Sequence, residues 1–217
     1  FDKKITVPFC PESELSGINY TDFIPAVWYH RDFKLPDDWD KKQILLHFGA
    51  VDFECQVWVN GKFVGKHIGG SVSFKFNITE YIKKGQNMLV VYARDEVRTG
   101  KQPAGKQSQR LHSHGCKYTR TTGIWQTVWL EAVSDNYLEL VHTVPDYDNS
   151  CFLITPKIKN ENRELKFKAA LMNNNKVIKS DIISANSGKG VNLKLDEPHP
   201  WTLEDPFLYD LKLELLE

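Results

Sequence analysis

The clearest signal of secondary structure is the segment Cys55-Gln56-Val57-Trp58-Val59-Asn60-Gly61-Lys62-Phe63-Val64. Successive side chains of an extended strand point to opposite faces, so Cys55, Val57 and Val59 share one face. The Asn60-Gly61 pair supplies the two residues that tolerate positive φ in a type I′ turn. The stretch therefore predicts a β-hairpin.

Segments with the same alternation recur along the whole chain. They are separated by Gly, Asn, Asp and Pro, and no stretch keeps a helical period over several turns. Phe74, Phe76 and Ile78 alternate with polar residues, and Met88 to Ala93 and Ile124 to Leu130 form mostly apolar runs. The pattern predicts antiparallel strands that pack as a sandwich with two apolar inner faces.

A second series of strands begins near Tyr137. It continues through Cys151 to Ile158, Leu165 to Met172, Val177 to Ile183, Val191 to Leu195 and Tyr209 to Leu215. This spacing is typical of an immunoglobulin-like sandwich, but the Cys, Trp, Cys arrangement of antibody domains is missing, so the likeness is one of architecture only. We place the boundary at about 133 to 137 and predict one domain over 1–134 and a second over 135–217.

Composition and charge narrow the classes of function. The 217 residues are 41% apolar and 12% aromatic, which is enough for packed cores without a metal or a disulfide scaffold. The 28 basic residues balance 28 acidic ones, which argues against nucleic acid or an anionic membrane as a partner and favours a neutral ligand. No run of ~18 apolar residues is present to span a bilayer, and the opening residues lack a signal-peptide core. The compartment stays open: periplasmic or secreted if a leader was removed, and otherwise cytoplasmic.

Cysteines and aromatic residues carry little functional signal by themselves. The four cysteines stand far apart without a CxxC pair, and we interpret them as mostly buried thiols. Tryptophan and tyrosine rings on a β-sandwich could stack on sugar rings. However, Trp58, Trp125 and Trp129 lie within apolar strand patterns, and we interpret them as packing residues.

A long polar segment, Glu96 to Thr122, separates two predicted strands, and a connection of this length is either functional or disordered. Gly100 to Gln107 resembles a P-loop, but its last position lacks the hydroxyl that binds magnesium and no helix follows, so we predict no nucleotide site. His112, His114 and Cys116 alternate and offer zinc donors, but a fourth ligand is not evident, and we predict no metal site.

Glycoside hydrolysis in its usual form needs two carboxylates that flank the scissile bond. Asp95 and Glu96 are adjacent in the sequence, and in a strand they face opposite sides. They do not form such a pair, and we predict no catalytic residue in this chain.

Seven short motifs follow one another along the chain: Val7–Ser13, Trp28–Phe33, Leu46–Asp52, Val57–Lys62, His67–Gly70, Phe74–Thr79 and Tyr118–Glu131. Together they resemble the amino-terminal jelly-roll domain of family 2 glycoside hydrolases, the group that contains β-galactosidases and β-glucuronidases. Pro200–Tyr209 resembles the closing strand of that family's immunoglobulin-like module. The resemblance implies an all-β fold, with a jelly-roll (galactose-binding-like) β-sandwich followed by an immunoglobulin-like β-sandwich.

The resemblance also implies that a (β/α)₈ barrel follows in the same polypeptide and supplies both catalytic glutamates. This chain is then a non-catalytic region that shapes the substrate cleft, with the C-terminal barrel and a carbohydrate substrate as partners and with no cofactor. Family members place an acidic residue about six positions before the Gly-Ile motif, where this chain has Lys117, so the sugar stays open. The alternatives are a free-standing carbohydrate-binding module and a protein-interaction sandwich.

The family brings its jelly-roll domain against the active site of the barrel, so the long polar loop is the expected substrate-side element. We expect five of its side chains to face the substrate entrance and bind substrate: Lys106, Gln107, His112, His114 and Arg120. We also expect the loop to be mobile in this chain alone. The alternative is that the loop is only an interdomain contact.

Overall fold

Strands dominate the computed structural model, which describes residues 3–160, 165–185 and 188–217. The chain divides into two units, Phe1–Val133 and Ser134–Glu217. The complete helical elements within the described ranges are single turns of 3-10 helix at Glu14–Ser16, Asp37–Trp39 and Thr79–Tyr81. No helix in these ranges has the length and apolar character needed to cross a membrane. The predicted all-β class is confirmed.

The first unit is a sandwich of antiparallel sheets. From residue 3 to residue 133 its strands are β1 (Ala26–Lys34), β2 (Gln43–Phe48), β3 (Val51–Asp52), β4 (Glu54–Val59), β5 (Lys62–Ile68), β6 (Phe74–Asn77), β7 (Gln86–Arg94), β8 (Gly123–Ile124) and β9 (Val128–Val133). One sheet has the order β1-β7-β4-β5, a second has the order β6-β2-β9, and β3 pairs with β8.

The core of the first unit lies between the apolar faces of these sheets. Cys55, Val57 and Val59 are fully buried on β4, as the period-two pattern predicts. The facing sheet contributes Ile44, Leu46 and Phe48 from β2 to the same cluster. Burying each such side chain contributes roughly 1.5–3 kcal/mol to folding, so this layer holds the unit together.

The predicted hairpin is present between β4 and β5. Val59 pairs with Lys62, and the two turn residues have positive φ, 51° at Asn60 and 79° at Gly61. The side chain of Asn60 donates to the carbonyl of Tyr81 at 2.8 Å, and its Oδ1 accepts from the backbone N–H of Met88 at 3.0 Å. The turn is therefore held by its side chain as well as by its backbone conformation.

The second unit is a smaller sandwich. Its described strands are β10 (Tyr137–Asp146), β11 (Cys151–Lys159), β12 (Lys166–Asn173), β13 (Lys176–Ser184), β14 (Val191–Lys194) and β15 (Asp210–Leu216). They form two antiparallel sheets, in the orders β10-β11-β14 and β13-β12-β15. Between the sheets lie Ile154, Phe167, Ala169, Leu171, Val191 and Leu193, all buried. This arrangement agrees with the predicted immunoglobulin-like architecture.

The interpretation of three tryptophans as packing residues needs correction at Trp129. Trp129 is 43% exposed, and its ring stacks on the imidazole of His47 with centroids 4.7 Å apart. It lies outside the core because alternation along β9 directs its neighbours inward and Trp129 outward. Trp58 packs against Trp28 at 5.5 Å on the outer face of its sheet, whereas Trp125 donates its indole N–H to the carbonyl of Gly70 at 2.7 Å.

Candidate functional site

The long polar loop connects β7 to β8 and lies against the first unit. Its backbone is tied to itself where Gln107 and Tyr118 form a β-bridge, with the N–H of Tyr118 donating to the carbonyl of Lys106 at 2.8 Å. The inner side of the loop is buried, with Ser108 inaccessible to solvent and Thr122 1% exposed. Such packing does not fit a loop that is mobile throughout.

The five predicted substrate-side residues fall into two groups. Lys106 and His112 are exposed and His114 is half-buried, so these three side chains can reach a ligand. Gln107 is 8% exposed and Arg120 is 3% exposed. All five residues lie in one loop. The side chains of Lys106, His112 and His114 reach solvent, whereas those of Gln107 and Arg120 are buried.

Gln107 fastens the middle of the loop to the sandwich. Its side-chain N–H donates to Oδ2 of Asp52 at 2.9 Å, and its Oε1 accepts from the backbone N–H of Thr121 at 2.8 Å. Gly70 lies directly over the Asp52 carboxylate, and a Cβ at that position would overlap it. The fit of Asp52 beneath this glycine fixes the acceptor that Gln107 uses.

Gln102 makes an equivalent attachment closer to β7. Its side-chain N–H donates to Oδ1 of Asp95 at 2.5 Å, and its Oε1 accepts from the backbone N–H of Glu96 at 3.1 Å. Asp95 is 4% exposed, and Glu96 pairs with Arg94 at 2.7 Å. Both carboxylates therefore have structural partners.

Three acidic side chains form the buried carboxyl cluster beneath the loop: Glu12 and Asp95 are buried, and Asp52 is half-buried. Burial, with the charges of Asp95 and Glu12, raises the pKa of Asp52 to about 7. Burial also raises the pKa of Asp95 to about 6, although hydrogen bonds from glutamine side chains act in the opposite direction. Glu12 accepts from the backbone N–H of Thr122 at 3.2 Å. The cluster thus contacts the loop at both of its ends.

Arg120 connects the far part of the loop to the N-terminal segment. Its guanidinium donates to the carbonyls of Arg110 at 2.7 Å and Leu111 at 3.2 Å, and also to the carbonyl of Thr21. It lies 4.4 Å from the ring centre of Phe23. A buried guanidinium whose Nη1 and Nη2 donate to backbone carbonyls serves to hold structure, since both terminal nitrogens are already engaged.

Ser108 organises the two histidines. Its Oγ lies 3.0 Å from the carbonyl of His112 and 3.1 Å from Nδ1 of His114. These contacts fix the backbone at His112 and the ring of His114, while the His112 side chain stays exposed. The histidines are therefore held in place by a residue that the sequence pattern did not single out.

The other sequence motifs of the loop have structural explanations. Gly100 to Gln107 is irregular and leads into the bridge with Tyr118, where a nucleotide site would require a helix. Cys116 is exposed. Among the residues that the structure describes, no group of three His, Cys, Asp or Glu side chains is arranged to hold a metal ion.

Sequence reasoning missed the residues that hold the loop. Asp52 and Glu12 both stand inside motifs quoted above, but neither is near the loop in sequence. Asp52 is separated from Gln107 by 55 positions, and Glu12 from Thr122 by 110. Only the three-dimensional fold brings them together, and one sequence carries no signal for that pairing.

Comparisons with known proteins agree with this architecture. Residues 12–131 match the family profile described as "Glycosyl hydrolases family 2, sugar binding domain". Residues 137–217 match the profile described as "Glycosyl hydrolases family 2". The two profiles follow one another and together extend over both units.

Individual relatives are much longer than this chain. A β-galactosidase of Thermoanaerobacter pseudethanolicus is 29% identical over 199 residues, which are 87% of this chain and 26% of the relative. A β-galactosidase of Halalkalibacterium halodurans is 26% identical over 200 residues, 89% of this chain and 19% of the relative. The chain thus spans about a fifth to a quarter of these relatives.

A solved structure has the same fold. The β-glucuronidase of Lactobacillus rhamnosus superposes with a TM-score of 0.74 over 97% of this chain and 36% of the other, at 23% identity. At this identity the likeness concerns the fold.

Proposed function

Since this chain belongs to family 2 of the glycosyl hydrolases, we propose that the protein of which it is part hydrolyses β-glycosidic bonds of carbohydrates. The chain is the non-catalytic amino-terminal region of that architecture. Hydrolysis with two carboxylates needs a pair that flanks the bond. Here Asp95 is buried against Gln102 and Glu96 is paired with Arg94, so the reacting carboxylates come from a catalytic barrel elsewhere in the polypeptide.

Within that enzyme, the first unit shapes the substrate cleft and the second unit is a spacer. The observation that supports this role is the loop between β7 and β8, which is bonded to a rigid sandwich on one side and carries polar side chains on the other. We assign substrate contacts to Lys106, His112 and His114, whose side chains reach solvent. Gln107 and Arg120 are positioning residues, because their donors are used inside the chain.

A free-standing carbohydrate-binding module would use an exposed aromatic platform. Among the exposed aromatic side chains of the described part of the first unit, Trp28 (54% exposed) and Phe63 (51% exposed) lie together beside Trp58. The ring planes of Trp28 and Trp58 are tilted by 32°, and those of Trp58 and Phe63 by 61°. Rings that pack against one another at such angles do not present one flat surface to a sugar, which favours the cleft-shaping role.

Assays with nitrophenyl β-galactoside and β-glucuronide test the proposal. The longer protein, expressed with the polypeptide that continues beyond residue 217, is expected to hydrolyse at least one of them, and this chain alone neither. Absence of hydrolysis of any aryl β-glycoside by the longer protein would refute the enzymatic assignment. Turnover by this chain that disappears in Asp95→Asn or Glu96→Gln would refute its non-catalytic role.

A further inference from the structure

The loop carries a one-sided distribution of charge although the whole chain is neutral. Between residues 97 and 122 the sequence contains no Asp or Glu, whereas its basic side chains are Arg98, Lys101, Lys106, Arg110, Lys117 and Arg120. Only Arg120 is buried and occupied with backbone carbonyls. The remaining five lie at or near the surface of the loop, where the guanidinium of Arg98 is also 4.0 Å from the ring centre of Phe23.

These cations have no acidic partners. Arg98, Lys101, Lys106 and Arg110 are exposed and Lys117 is half-buried, and none of the five forms an ion pair within the described part of the chain. Ion pairs do form elsewhere in the described chain, as between Lys157 and Glu139 and between Lys168 and Glu214. The loop differs from those strands in containing no acidic residue that could offset its cations.

The backbone of the loop draws these residues together. The bridge between Gln107 and Tyr118 places Lys106 and Lys117 on adjacent segments. The side chain of Gln109 donates to the carbonyl of Val97 at 3.2 Å, so the segments that carry Arg98 and Arg110 are adjacent. We call Arg98, Lys106, Arg110 and Lys117 the cationic loop face.

Nearby acidic groups do little to offset this face. Asp52 and Asp95 lie behind the loop and receive hydrogen bonds from its glutamines. Glu96 is occupied by Arg94. Asp22 is exposed next to Phe23 and accepts from the backbone N–H of Phe23 at 2.6 Å. None of these four carboxylates forms an ion pair with a basic side chain of residues 97–122.

We propose that the cationic loop face binds an anionic substituent of a glycan, either a carboxylate or a sulfate ester. The proposal rests on the proposed function and names the class of substrate. Lysine and arginine side chains offer donors and no acceptors, so they match a group that only accepts. A neutral sugar hydroxyl both donates and accepts, and it gains less from such a face. Arg120 and Gln107 hold the loop, which lowers the ordering cost of binding.

Titration of this chain with matched oligosaccharides tests the proposal by NMR. The probes are a uronate-containing oligosaccharide and its carboxyl-reduced form, and a sulfated oligosaccharide and its desulfated form. Amide signals of residues 97–120 should shift with at least one anionic probe and move less with its neutral form. The member that binds identifies the carboxylate or the sulfate as the ligand group. Absence of any anion-dependent shift at about 10 mM probe would overturn the proposal.

Two double variants distinguish binding by the cationic loop face from a general effect of net charge. Lys106→Gln with Lys117→Gln is expected to weaken anionic glycan binding about fivefold, since each exposed charge pair contributes modestly. Lys176→Gln with Lys179→Gln on β13 changes net charge equally and should leave binding unchanged. Equal loss in both variants, or equally tight binding of single-stranded DNA, would contradict the proposal. The experiment measures binding and needs no catalytic turnover. Its failure can therefore be distinguished from a failure of the hydrolysis test.

Discussion

At the scale of single residues, the buried carboxyl cluster is the most unusual feature of the first unit. Asp52 and Asp95 act as acceptors for two loop glutamines while lying where ionised carboxylates are costly. The pKa of Asp52 is raised to about 7, so its folded form holds a proton more tightly than the unfolded chain does. The ionised Asp52 carboxylate therefore lowers the stability of the first unit near neutral pH, while its hydrogen bond with Gln107 fixes the loop.

The direction of the Asp52 pKa shift predicts how the stability of the first unit depends on pH. Below pH ~4 the Asp52 carboxyl is protonated in both states, and between about 4 and 7 folding takes up a proton. Stability of the first unit should therefore fall as pH rises through this window and then level off. Asp52→Asn should be more stable than the parent at pH 8, by about 1 kcal/mol because solvent screens part of the charge.

Urea unfolding followed by tryptophan fluorescence measures this difference. Only Trp201 lies outside the first unit, so the signal comes mainly from that unit. Asp38→Asn, at an exposed position, is the matched control and should leave the pH profile unchanged. An Asp52→Asn variant with the same pH dependence as the parent would show that Asp52 is not the group responsible.

At the scale of elements, strands were predictable and the loop was not. The Asn60-Gly61 turn and the burial of Val57 and Val59 follow from local alternation and backbone preference. The loop conformation depends on contacts with Glu12 and Asp52, which are distant in sequence. Local patterns carry no information about such contacts, and this is why Gln107 and Arg120 were expected to face the substrate.

Replacement of Arg120 tests whether its hydrogen bonds hold the loop in place. Arg120→Met removes the hydrogen bonds to Arg110, Leu111 and Thr21, so segment 98–117 should open more often. Trypsin is expected to cut this segment about tenfold faster in Arg120→Met than in the parent. Arg31→Met, at an exposed position of β1, serves as the control. Equal cleavage rates in parent and Arg120→Met would mean that Arg120 does not hold the loop.

At the scale of the whole molecule, the net charge and the local distribution of charge favour different ligands. Equal numbers of acidic and basic residues favoured a neutral partner, but the balance hides a loop without acids. Composition averages over the chain, whereas a ligand meets only one surface. The family assignment was accessible from sequence because several motifs retain their order, from the Val-Pro segment at 7–8 to the Gly-Ile pair at 123–124.

We propose that the loop between β7 and β8 contributes to substrate use by the longer protein. The most direct measurement is kcat/KM of the longer protein on its best glycoside, for Lys106→Ala with His112→Ala against Lys176→Ala with Lys179→Ala. We predict about a tenfold lower kcat/KM for the loop variant, with unchanged thermal unfolding, because positioning contacts outside the reacting bond are lost. A loop variant with the same kcat/KM as the control would show that the loop does not contribute to substrate use.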